Sequence, residues 1–441
     1  MKYVWVLAAV AAVAAAQDRG SIQLSMKRAV EIATSPEGST QIQLSGEALK
    51  QAELRSKEAR AALLPDFESA FSYQNRTANL AAQGITLAHL PFPGVSFPVF
   101  VGPFTTMDAR ISGTQSILNL SSIRQYQASK VGVSAAKSDS ENTSEQVAAS
   151  VARAYLAAVK GDTDVDTAQA NVMLSQAVLT QAENQKAAGT GTGIEITRAR
   201  VQLANDQQRL LVAQNNRKAA HLRLLRAMGL RLDTETQLTD KLEYLPVDAV
   251  TLDQAKAQAI KERPDYKAQL ERQSNARLSA SSVAMERLPS LAALGDYGSS
   301  GAGFSTVLPT RTYGISLKVP IFDGARRDAR RAEAASQYRS EAVRTNDLRE
   351  QVELDVRLAL DELSSAEDQV KVAKDGMDLS QNELEQARRR YQAGVSDSLE
   401  VTDAQTRLER ARDNQTAALY NYNVARIDLA QAMGSVRRAI P

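Results

Sequence analysis

The stretch YQAGVSDSLEVTDAQ, residues 391–405, contains a helix stop and a helix start within a few residues. Gly394 is a helix-ending glycine, Asp397 and Ser398 are N-capping types, and Glu400 falls in the first turn, where the helix dipole favours an acid. A near copy stands upstream as KAAGTGTGIEITRAR, residues 186–200. Both carry Ala-Gly, four intervening residues, an aliphatic, Glu, an aliphatic and Thr. Gly189 corresponds to Gly394, Thr192 is a further capping candidate, and Glu195 corresponds to Glu400.

The echo extends far beyond the turn. At the offset of 205 residues that places Gly189 on Gly394, Val147, Val151, Leu179 and Ala182 fall on Val352, Val356, Leu384 and Ala387. Downstream, Met228-Gly229 falls on Met433-Gly434. With small shifts of register, ILNLS (117–121) meets IFDGA (321–325), and LLPDF (63–67) meets RLPSL (287–291). Internal self-similarity of this length marks a duplicated unit of about 200 residues. The chain divides into 17–229, a joint at 230–250, a second repeat at 251–434 and a short tail at 435–441. Each repeat predicts a short helix, a longer one, two strands, a very long helix, the turn, and a return helix ending at Met-Gly.

The helical signal is the strongest. From Val352 to Tyr391 the apolar and small residues recur four and three apart, and the return helix continues the pattern from Val401 to Leu429. A period of 3.5 is the seam of a left-handed coiled coil, so these positions are packing. A continuous helix from Asp323 to Tyr391 would be roughly 100 Å long at 1.5 Å per residue. The strand signal is weaker. DFESAFSYQNR and TYGISLKVPIF alternate aromatic or aliphatic residues with small or polar ones, which suits a strand between lipid and water or a half-buried sheet edge. The first strand pair is predicted to be joined by the loop GITLAHLPFPGVSFPVFVGPF and the second by GDYGSSGAGFST.

Composition narrows the function. Among 441 residues, Lys plus Arg is 53 and Asp plus Glu is 51, so there is no basic field for nucleic acid. There is no Cys and there are two His, His89 and His221, in unrelated contexts. That argues against a transition-metal site, a Cys nucleophile and a cofactor, and no nucleophile elbow or phosphate loop is present, so no catalytic residue is assigned. Residues 1–16, MKYVWVLAAVAAVAAA, have the basic start, apolar run and Ala-x-Ala end of a cleaved export signal. The run is short for a bilayer helix, which needs roughly 20 apolar residues, and no Cys follows it to carry lipid. Four strands cannot close a membrane barrel, the smallest having about eight, and an open edge is not tolerated in lipid. Strands placed in a membrane would therefore have to come from several chains, and three would supply twelve.

The doubled unit, LLPDF, VPIFDGARR (319–327) and the paired AG-x4-[IL]-E-[IV]-T turns resemble the TolC-like outer membrane efflux proteins, over residues 20–435. The resemblance implies a mainly α fold with a small β part. Long antiparallel coiled-coil helices would form a trimeric α-barrel in the periplasm, and four strands per chain a twelve-stranded barrel in the outer membrane of a Gram-negative-type envelope. It implies a homotrimeric, non-enzymatic exit duct in contact with outer membrane lipid. Its partners would be a periplasmic adaptor and an inner-membrane transporter of the RND, ABC or MFS type. The duct would serve a small-molecule efflux pump, with type I protein secretion as the alternative and a periplasmic coiled-coil scaffold as a third reading.

The resemblance also implies that the turns at Gly189 and Gly394 sit at the periplasmic tip. Glu400 and Asp403 match acidic positions that ring the entrance. Tyr391 matches a tyrosine that holds the inner helix pair closed, and Glu195 an acid of the same latch, although capping of its own helix accounts equally well for Glu195. The family's latch arginine, two residues after the turn glycine, is replaced here by Ser396, which leaves Arg198 as the nearby candidate. The cluster Arg326, Arg327, Arg330 and Arg331 is read either as lipid headgroup contact or as a solvated helix face.

Overall fold

The computed structural model describes residues 22–82, 99–247 and 250–440. The export signal, His89 and most of the first interstrand loop lie outside these. The order is β1 (Ile22–Leu24), α1 (Met26–Thr34), α2 (Thr40–Ala61), β2 (Asp66–Asn79), β3 (Phe100–Leu118), α3 (Leu120–Ala187) and α4 (Gly193–Met228). There follow β4 (Thr236–Leu238), α5 (Leu252–Glu262), α6 (Pro264–Met285), β5 (Ser290–Gly301), β6 (Leu308–Lys318), α7 (Arg326–Gln392), α8 (Ser398–Ala432) and α9 (Val436–Ala439). The order α1-α2-β2-β3-α3-α4 is repeated as α5-α6-β5-β6-α7-α8. The fold is mainly helical with four antiparallel strands, on a duplicated plan.

One compact unit comprises residues 47–140 and 264–350. Its four-stranded antiparallel sheet has the order β2-β3-β5-β6, so β2 and β6 are edge strands. The register places Phe71 opposite Ala109, Ile111 opposite Tyr297, and Gly295 opposite Tyr313. One face therefore carries Phe67, Phe71, Tyr73, Ile111, Tyr297, Tyr313 and Ile315, each more than half exposed. The other face carries Glu68, Asp108, Arg110 and Asp296, with Arg110 Nη1 3.3 Å from Asp296. Alternation of this kind, with aromatics standing out into the surroundings, is the pattern of a lipid-facing sheet.

Three expectations are corrected in this unit. Residues 295–301 of GDYGSSGAGFST belong to β5, and the connection is confined to 302–307. At Gly298 and Gly301 the neighbouring backbone approaches too closely for a side chain. A Cβ at Gly298 would stand 2.4 Å from the Ala109 carbonyl oxygen. Likewise, the end of the first predicted loop, from Phe100, is already β3. The long helix α7 starts at Arg326 and not at Asp323, because Gly324 and Ala325 have φ of 69° and 66°, outside the helical region. Asp323 caps it, accepting from Arg327 N at 3.2 Å. Of the arginine cluster, Arg327 pairs with Asp323 at 3.2 Å and Arg330 with Glu286 at 2.8 Å.

The second unit comprises residues up to 46, then 141–263 and 351 onward. Its largest cluster gathers Leu24, Val151, Tyr155, Leu224, Met228 and Val436, all buried. Tyr155 donates its hydroxyl to the Leu24 carbonyl at 2.8 Å and accepts from Asp240 N at 3.3 Å, next to the parallel β1–β4 pair. Burial pushes this hydroxyl up to about 12. The coiled-coil seam is in place. Val352, Val356, Ala359, Ala366, Leu384, Ala387 and Tyr391 of α7 are buried, as are Val401, Ala404, Leu408, Ala418, Tyr422 and Leu429 of α8. Among the described residues no helix is long and apolar enough to cross a membrane.

Candidate gate at the paired turns

Both turns close the same way. After α3, Gly189 has φ 79°, and Thr190 and Gly191 donate to the Gln185 carbonyl at 3.0 Å. After α7, Gly394 has φ 70°, donates to Tyr391 O at 3.1 Å, and is followed by Val395 N donating to Arg390 O at 3.1 Å. A Cβ at either glycine would meet nothing within 4 Å, so the glycines answer to backbone conformation and not to space.

The capping residues then set the return helices. Glu195 accepts the Thr192 N–H at 2.8 Å, so this acid satisfies an orphan donor of its own helix. Asp397 does the corresponding work for α8, accepting from Leu399 N at 3.1 Å and Glu400 N at 3.2 Å. Capping leaves the Glu400 carboxylate itself free to pair with Arg390, at 3.3 Å. Asp403 is exposed one turn further on. Its charge bears on Arg407, whose guanidinium is held by Glu383 at 2.8 Å.

Tyr391 is 6% exposed, packed with Leu384, Ala387, Val401 and Leu408. Its hydroxyl donates to Gln185 Oε1, a residue of the other hairpin. Burial first, then the charge of Glu195, hold the Tyr391 hydroxyl above its ordinary value, and the Gln185 bond opposes them. Glu195 is thus near enough to act on Tyr391 through space while its hydrogen bond goes to Thr192. Ser396 is half-exposed and, among the described residues, bonds only locally, to Asp397 O at 3.3 Å. Arg198 is exposed and, among the described residues, forms no ion pair. The arginine that does pair beside this turn is Arg200, with Glu183 at 3.1 Å.

The structure therefore brings together Tyr391, Gln185 and Glu195 across the two hairpins, and Arg390 with Glu400 within one. Gln185 and Arg390 were not singled out from the sequence. Gln185 stands four residues before the turn glycine as Arg390 does before Gly394, and that shared position was the available signal. Among the described residues no group of His, Asp and Glu is arranged to hold a metal ion.

The sequence pattern of the outer membrane efflux protein family matches residues 37–230 and 256–435. The chain is 26% identical over 343 residues to the pyoverdine export outer membrane protein OpmQ of Pseudomonas putida, covering 75% of this chain and 71% of that protein. It is 23% identical over 290 residues to the alkaline protease secretion protein AprF of Pseudomonas aeruginosa, covering 64% of this chain and 60% of that one. In structure it is similar to the Campylobacter jejuni CmeC outer membrane channel, with a TM-score of 0.80 at 16% identity over 93% of this chain and 86% of the channel. The two matched segments fall one in each repeat and take in the sheet, the four long helices and both turns, so the chain belongs to the outer membrane efflux protein family.

Proposed function

We propose that three copies of this chain form the exit duct of a tripartite efflux pump and that the Gly189 and Gly394 turns, with Tyr391, form its periplasmic gate. The chain is an outer membrane efflux channel by family, non-enzymatic, with a helical extension into the periplasm. The observation that carries the trimer is the four-stranded sheet, whose edges β2 and β6 are unpaired among the described residues, and its exposed aromatic face. An open edge cannot persist in lipid, and three copies joined β6 to β2 remove every edge. The helices support the same assembly. On α7, Leu358, Val372 and Leu379 recur at multiples of seven, 57%, 72% and 70% exposed. This is a second apolar seam that the single chain leaves without a partner and a neighbouring copy would cover.

The duct carries small molecules delivered by an inner-membrane transporter through a periplasmic adaptor. Similarity to a pyoverdine export protein favours this reading. Similarity to AprF favours a second, the outer membrane step of type I protein secretion. Native mass spectrometry of the full chain in detergent, with conductance in planar bilayers, tests the assembly. Trimers that conduct are expected, and monomers without conductance overturn it. Restoring drug resistance or protease secretion in a channel-deficient host separates the two readings.

A further inference from the structure

Further along the helices from the turns, two carboxylates are shut away from water. Asp206 of α4 is 1% exposed and Glu409 of α8 is 3% exposed. Ser175 of α3 donates to Asp206 Oδ2. Gln405 of α8 donates to Ser175 Oγ at 2.7 Å and to Glu409 Oε1 at 3.4 Å. One amide nitrogen, Gln202 Nε2, lies 3.2 and 3.3 Å from the two Asp206 oxygens and 3.5 Å from Glu409 Oε1. The two acids thus flank a single nitrogen. Among the described residues the cation that reaches both is Arg209, 2.5 Å from Glu409 Oε2 and 3.9 Å from Asp206 Oδ1, with its side chain 58% exposed.

The surrounding charges do not relieve the pair. On α3, Lys160 is engaged by Asp164 at 2.6 Å. On α8, Asp413 adds a further carboxylate, Arg412 is held by Asn171 at 3.0 Å, and Arg410 lines the same groove. From α7, the nearby acid Glu383 pairs with Arg407 and makes no bond to Glu409. Burial of a carboxyl beside a like charge, with one half-solvated counter-charge, favours its protonated form. Burial, then the charge of Asp206, push the Glu409 carboxyl above the ordinary carboxylate range against the pull of Arg209.

We propose that Glu409, set against the buried Asp206 charge, is a proton-binding site, and that the bound proton ties α8 of one hairpin to α3 and α4 of the other. With the proton in place the pair carries a single negative charge, which Arg209 balances. Without it a second buried charge forces α4 and α8 apart. Glu409 has a raised folded value, so its hold is complete below its unfolded carboxylate value and is lost as pH rises through the raised one. Hairpin contact is therefore tightest in acid and loosens toward alkaline pH. The consequence for transport rests on the gate reading above, whereas the proton site does not.

The test uses the full-length trimer. Infrared difference spectra across a pH step should show a protonated carboxylic C=O band that Glu409→Gln removes. Asp206→Asn, which leaves Glu409 paired with Arg209 alone, should remove it too and serves as the second variant. Spontaneous channel opening should rise several-fold with pH in the wild type and stay flat in both variants. A band unchanged by both substitutions overturns the proton site. A band that is lost as expected, with wild-type opening insensitive to pH, keeps the site and rejects its link to the gate.

Discussion

The Tyr391 hydroxyl donates to the side-chain carbonyl of Gln185, across 206 residues of sequence and between two different hairpins. This contact lies just before both turn glycines and joins helices that must separate if the inner pair swings outward. Tyr391→Phe keeps the packing against Leu384 and Leu408 and removes only the donor. A hydrogen bond of this kind contributes about 1 kcal/mol net. Spontaneous opening in planar bilayers should rise about fivefold. Unchanged open probability would exclude the contact as a latch.

If Glu400 and Asp403 ring the entrance as the family resemblance implies, that ring is partly self-neutralised. Arg390 pairs with Glu400, while Asp403 stays exposed. Glu400→Ala with Asp403→Ala should abolish cation preference and divalent-cation block at a closed mouth. Arg390→Ala should do the reverse, strengthening cation preference by unmasking Glu400. Reversal potentials in asymmetric salt check both, and shifts of the same sign in the two variants would rule the ring out.

Gly394→Ala tests geometry in open space. No atom lies within 4 Å of the new methyl, so the cost is the left-handed backbone, about 1–2 kcal/mol. The midpoint of heat-induced trimer dissociation should fall by about 2–4 °C, with conductance of the surviving trimers unchanged.

Gly298→Ala tests the opposite case. Here the new methyl would stand 2.4 Å from Ala109 O and 2.5 Å from Arg110 Cβ, on a paired strand that cannot yield. Overpacking of this kind costs about 3 kcal/mol. The heat-modifiable band of assembled barrel should largely disappear. Gly295→Ala, where the nearest atom is 3.6 Å away, should retain it.

The sequence by itself determined the duplication, the two turns, the helix seams and the caps at Thr192 and Asp397. These features are local, because 3.5-residue periodicity and cap chemistry are set within a few residues of the chain. Tertiary structure alone decided the partners. Which glycines belong to a strand depended on how closely Ala109 approaches Gly298, and no run of Gly and Ser states that. Glu195 was legible as an acid beside a turn. That its bond goes to Thr192 while its charge reaches Tyr391 required the rotation of α4 about its axis. The pairing of Asp206 with Glu409, and of Gln185 with Tyr391, depends on the axial register of helices some 200 residues apart, and a repeating seam leaves that register open by whole heptads.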